Sequence, residues 1–432
     1  MQRDARENYV LPMVLIICLF FLWGVANHLN DILIPHFKKA FLLSDLQSGL
    51  VQSAFYMGYF LLALPAGLVM RRFGYKAAVL AGLILFGSGA LLFYPAAEVR
   101  EYGLFLGALF IIASGLAFLE TSANPLMTVL GDPDTAERRL NFAQAFNPLG
   151  AISAVLLGRE FILSGVEPTA AEFAQMTPVE LAAFQASEAQ AVQAPYLIIA
   201  CVVFVWAVLV AVTRFPSAAQ RPALDAQSST SHTPVLRGLL AHPRFVFGVV
   251  AQFFYVGAQV GVWSFMIRYA QQEIPGMGEK TAATYLTWSL VAFMVGRFVG
   301  TALMGKINPA KLMGIYGLCN VALALFAVVV GGHLGLLALA STSFFMSIMF
   351  PTIFANALRG LKALTQIASS LLVMSIIGGA VLTALMGFIS DQSSIRIAML
   401  VPACAFVVVA MFGLSARREE RLPLTRPATS ST

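Results

Sequence analysis

Between Glu7 and Asp31 the chain carries no charged side chain: it reads YVLPMVLIICLFFLWG and then the polar run VANHLND. As a helix, an uncharged run of about 20 residues spans the roughly 30 Å of bilayer hydrocarbon, and the backbone polar groups of such a run are met internally only in that form. Runs of this kind recur along the whole length, too long and too poor in turn residues for strands. Composition agrees, with 59% hydrophobic and only 11% charged residues against roughly 25% charged in soluble domains. The mean hydropathy is +0.81. These features predict an all-α integral membrane protein with many spans. The first apolar segment has no short core with an A-x-A site, so it reads as a retained span rather than a cleaved signal.

The pattern divides into twelve transmembrane helices near 10–37, 47–70, 77–96, 103–130, 141–164, 194–214, 245–271, 281–305, 312–331, 334–358, 366–389 and 396–415. Between the sixth and seventh lies RFPSAAQRPALDAQSSTSHTPVLRG, polar and rich in Ser, Pro and Ala, which suits a linker. The expected organisation is an N-terminal six-helix bundle over 1–215, a cytoplasmic linker over 216–244, and a C-terminal bundle with a short tail over 245–432. An N-terminus in the cytoplasm puts nineteen of the 27 Lys and Arg residues on that side and five outside, with Arg159, Arg268 and Arg297 inside spans. The external loop 165–193 has four glutamates and no Lys or Arg. This asymmetry predicts both termini in the cytoplasm. It also accounts for the net charge of +6 without nucleic acid as a partner.

The two halves resemble each other. PLGAISAVLLG (Pro148–Gly158) aligns with IGGAVLTALMG (Ile377–Gly387) at an offset of 229 residues. Internal repeats are the build of many secondary transporters, whose substrate sites lie near the midplane between the halves.

Polar residues within spans therefore carry the functional signal, because a charge at the centre of a spanning helix costs about 2.5–3.5 kcal/mol on insertion scales. Asp31 follows Asn27 at the i, i+4 spacing of one helix face, with Asn30 adjacent and Pro35 one turn later. His28 either titrates beside Asp31 or serves as a plain hydrogen-bonding group. Glu120, in LETSANP, sits near the middle of span four, with Asn124 one turn on and Pro125 able to interrupt the helix. Burial disfavours the charged form of a carboxyl, which lets such a residue take up and release protons. The competing reading for Asp31 is a carboxylate at the membrane interface or a structural partner for a neighbouring helix, and for Glu120 a buried hydrogen bond between helices. Asn141, Gln144 and Asn147 form a stripe at i+3 steps in span five, and Gln252, Tyr255 and Gln259 share a face of span seven. Amides and phenols donate and accept, as an uncharged polyhydroxylated ligand requires. Trp23, Tyr255, Trp263 and Trp288 are rings that can cover the apolar face of a pyranose, although any one aromatic in a span more often serves packing or the lipid belt. Arg297 reads as snorkelling towards the cytoplasm or as a structural ion pair.

No P-loop, zinc-ligand spacing or nucleophile elbow is present, which argues against an ATP-driven pump, a metal site, a cofactor or an enzyme. Cys18, Cys201, Cys319 and Cys404 lie far apart inside apolar segments, so neither a disulfide nor a metal is expected. The energy source is then an ion gradient or the substrate's own gradient.

The two six-helix halves and the basic loop after span two resemble the major facilitator superfamily, although Arg71 stands where an aspartate is usual. NDILIPHF, QSAFYMGYF, LETSANP, AQFFYVGAQ, IRYAQQEIPGM, FMSIMFPTIF and IIGGAV are similar to the bacterial L-fucose permease family, the fucose–galactose–glucose:proton symporters, from span one to span twelve. The resemblance implies that Asp31 and Glu120 match the family's two essential membrane carboxylates, and that Gln144 and Asn147 line the sugar cavity. His28 departs from the family pattern, in which an asparagine precedes LND.

The expectation is a monomeric proton-coupled monosaccharide symporter of the bacterial inner membrane, importing L-fucose or a close relative by alternating access. Asp31 and Glu120 couple protons and, with Asn27, His28, Gln144, Asn147, Gln252, Tyr255 and Gln259, contact the sugar. A glucose/galactose symporter, an uncoupled or sodium-coupled carrier and a non-transporting sugar receptor are the alternatives.

Overall fold

The computed structural model describes residues 10–41, 45–162, 172, 175–216, 235–361 and 364–420. Among them there is no strand, and ten helices are long and apolar enough to cross a membrane. One of these, Ala54–Val99, has 46 residues, about 69 Å of helix at 1.5 Å per residue and twice what a bilayer needs. It lies in the helix α2 (Asp45–Val99), which contains non-helical backbone at Gly74, φ 85°. A side chain there would be strained, so glycine makes the turn between two crossings. A further crossing segment, α5 (Phe146–Phe161), has 16 residues. The total agrees with twelve spans.

The chain forms two compact units, one of Met1–Leu239 with Leu358–Ala380 and the other of Leu240–Ala357 with Val381–Thr432. In the first unit α1 (Val10–Ala40) packs on α5, while α2 packs on α3 (Tyr102–Val129) and on α7 (Gln193–Val212). The α1–α5 crossing is close because glycines meet backbone: a Cβ on Gly24 would overlap the Asn147 carbonyl, and one on Gly150 the Phe21 carbonyl. Small residues at such crossings bring helices together where lipid supplies no hydrophobic drive. The short α4 (Ala136–Gln144) precedes α5. Within the loop expected to be external lies α6 (Pro178–Ala191), begun by a capping box between Thr177 and Glu180. The sequence predicts plain loop there.

In the second unit α8 (Pro243–Glu273) and α10 (Pro309–Val330) both pack on α15 (Leu400–Glu420). Against α9 (Glu279–Leu303) lies α11 (Gly332–Met346), which is followed after two residues by α12 (Met349–Leu358). Span ten is therefore broken just before Pro351, a proline in the run that the division into spans by apolar length does not take into account. Span eleven is likewise divided into α13 (Thr365–Met374), a 3-10 turn and α14 (Gly378–Gln392). By packing, α13 belongs to the first unit, against α2 and α3. Cys18 and Cys319 are half-buried, and Cys201 and Cys404 exposed, all in helices and all free.

Candidate functional site

Glu120 is a deeply set acid, 2% exposed, on an α3 that is buried without interruption from Ile112 to Met127. One turn on, the Asn124 Oδ1 accepts a hydrogen bond of 2.7 Å from Gln144 Nε2 of α4, both side chains being buried. Pro125 has no N–H for the helix, and its own carbonyl accepts from Thr128 Oγ1 at 2.7 Å. From α2, the buried Tyr59 hydroxyl comes close to the Trp23 and Asn27 side chains of α1 and into electrostatic range of Glu120. It does not reach hydrogen-bond geometry with any of them.

Several polar atoms of this unit are shielded and have no hydrogen-bond partner: Trp23 Nε1, Asn27 Oδ1, His28 Nδ1, Tyr59 Oη, Thr121 Oγ1 and Asn124 Nδ2. Buried polar groups are paired in the large majority of cases. Unmet donors and acceptors concentrated on α1, α2 and α3 are what a hydroxyl-rich guest can satisfy. Asn147 uses its amide differently, donating weakly to the Phe20 carbonyl at 3.3 Å. For Asp31 the helix position is given, and its side chain lies outside the described residues.

The span-seven stripe falls in the second unit. Gln252 is fully buried with neither amide atom paired, and Gln259 is half-buried. The Tyr255 side chain is fully buried, with its hydroxyl donating to the Met346 carbonyl at 3.1 Å. That phenol is committed to backbone at the break in span ten. An open hollow of about 610 Å³ is lined by Thr281, Thr284, Tyr285, Trp288, Leu337 and Ala340. Trp288, 65% exposed, is its largest wall. Arg297 is not a snorkelling residue: it is 3% exposed, and its Nε donates to the Ser347 carbonyl at 2.6 Å. Sequence reasoning passed over Tyr59 and Ser343, since a tyrosine or serine in an apolar run costs too little to stand out. The signal for Tyr59 was its place in QSAFYMGYF.

The family model described as Major Facilitator Superfamily matches residues 14–372. The chain belongs to that superfamily. Among curated proteins, this superfamily member is 46% identical over 415 residues to the L-fucose-proton symporter of Escherichia coli K12, covering 95% of this chain and 94% of that protein. It is 36% identical over 415 residues to a glucose/galactose transporter of Brucella abortus biovar 1, covering 96% of each. A crystal structure described as a Major Facilitator Superfamily transporter, FucP, in the outward conformation superposes with a TM-score of 0.87 at 46% identity, covering 94% of this chain and 99% of that one. The superfamily fold read from the sequence is thereby established, and the relatives are carriers, not enzymes.

Proposed function

We propose that the chain imports L-fucose, or a closely related monosaccharide, together with a proton by alternating access. The observation that carries the reading is Glu120, an acid buried in the interior of a spanning helix among unpaired Trp23, Asn27, Tyr59 and Asn124 atoms. A proton neutralises a carboxylate in the outward-facing state and the sugar binds. Neutralisation lowers the cost of closing the outer side over a buried acid. Opening to the cytoplasm then releases sugar and proton. Asp31 and Glu120 carry the proton. Asn27, His28, Gln144, Asn147, Gln252 and Gln259 contact the sugar, with Trp23 and Trp263 covering its apolar face. Tyr255 belongs to the same face of α8, and its hydroxyl braces span ten.

The wider setting proposed is a monomer in the bacterial inner membrane with both termini in the cytoplasm, built as bundles over 1–215 and 245–432 joined by the linker 216–244. Glucose or galactose is the second reading, favoured by the identity to the Brucella transporter and by His28 beside the site. Uptake of labelled L-fucose into proteoliposomes under an imposed pH gradient, with competing sugars and sodium titrated at fixed pH, tests all of this. Concentrative uptake is expected in the native chain and should be lost in Glu120→Gln and Asp31→Asn. Native pH-dependent accumulation by both variants contradicts the mechanism.

A further inference from the structure

Span ten breaks because Pro351, in the first turn of α12, has no N–H for the Ser347 carbonyl four residues before it. In hydrocarbon no water is available to meet that carbonyl. The Arg297 Nε meets it at 2.6 Å from α9, and the neighbouring Met346 carbonyl takes the Tyr255 hydroxyl at 3.1 Å. Two glycines spaced four apart let α9 come this near. A Cβ on Gly296 would lie 2.9 Å from the Phe344 carbonyl carbon, and one on Gly300 would overlap the Ile348 side chain. A buried arginine thus takes the place of the amide proton that proline lacks.

The same guanidinium lies 4.7 Å over the Phe293 ring, an attractive geometry for a cation on a π face. Phe293 meets Trp263 edge-on at 5.2 Å and 77°. The Trp263 indole N–H donates to Ser343 Oγ at 2.9 Å, and Ser343 shares a 2.5 Å hydrogen bond with Ser289. These contacts close a ring through α8, α9 and α11. They grip Trp263 at its nitrogen and along one side, while the side chain as a whole stays half-buried.

We propose that Arg297 is a positioning residue for substrate binding: it seals the break in span ten and, through Phe293, holds Trp263 as a rigid ring face for the sugar. The inference rests on the reading above that Trp263 faces the sugar. Phe293 and Ser343 are the two handles on that ring, and Arg297 sets the first of them.

The test uses the full chain in proteoliposomes for L-fucose counterflow, and a chain carrying Trp23→Phe, Trp206→Phe and Trp288→Phe for Trp263 emission. Arg297→Met is expected to raise the KM about tenfold with Vmax within about twofold. Trp263 emission should move to the red, with greater quenching by acrylamide. Arg297→Lys, which keeps a cation and a donor, should restore most of both. Phe293→Leu leaves the Arg297–Ser347 bond in place and should reproduce the KM and emission changes, so it decides the matter if Arg297→Met does not fold. Unchanged KM and emission in Phe293→Leu overturn the proposal. So does a loss confined to Vmax in Arg297→Met, which would make Arg297 a helix brace only. If the native chain does not exchange L-fucose, the substrate reading fails, while the emission arm still decides whether Arg297 positions Trp263.

Discussion

Asn124 and Gln144 show how a transport site can be stable while it waits for its ligand. Their 2.7 Å hydrogen bond ties α3 to α4 beside Glu120, and the amide nitrogen of Asn124, with both its hydrogens, stays unpaired. Gln144→Leu strands a buried carbonyl oxygen, a loss of about 1–2 kcal/mol. It is expected to lower the Tm by a few degrees and to raise the KM for sugar. The double variant with Asn124→Leu should regain the stability, since neither side is then left unpaired, yet remain defective in uptake. Thermal unfolding of purified protein with parallel uptake assays separates the two effects. Glu120 was legible in the sequence because a carboxyl in an apolar run demands a reason. Arg297 stands out for the same cause, and its burial at 3% exposure removes the snorkelling reading. Its partner is the Ser347 carbonyl, freed by Pro351, and a separation of 50 positions in the chain carries no spacing rule.

Helix ends employ two of the basic residues expected on the cytoplasmic side. Lys76 donates to the Ala211 and Thr213 carbonyls at 2.8 and 2.9 Å, closing the C-terminal end of α7. Arg139 does more for α3, reaching the Met127 carbonyl at 2.7 Å, Thr128 at 2.9 Å and Asp132 at 3.1 Å. Cations are favoured there because the last carbonyls of a helix are unpaired and its dipole ends negative. Arg139→Met is expected to cost about 1–2 kcal/mol, read as a lower Tm, with the KM of the folded fraction unchanged. A change in KM at constant Tm would contradict a capping role. The spans themselves were readable from apolar length, often within two or three residues: 103–130 became Tyr102–Val129, and 194–214 became Gln193–Val212. What length does not encode is where a span bends and whom it packs against. Every helix in lipid is apolar, so the attachment of α13 to α2 and α3 is decided by close fit rather than by pattern.

For the whole molecule, the arrangement of Lys and Arg makes a claim about sidedness that the thiols allow to be checked directly. All four cysteines sit inside helices within apolar segments, at a depth that a charged reagent reaches only at a high desolvation cost. The native chain is expected to stay unlabelled by a charged, membrane-impermeant maleimide from either side. A Ser187→Cys chain, altered on the exposed face of α6, should label in intact cells. Ser228→Cys, in the linker, should label only in inverted vesicles. Labelling of Ser228→Cys from outside would reverse the topology. The placement of its sulfur thus makes the natural protein its own blank for mapping by single introduced thiols, with no need to strip out native cysteines first.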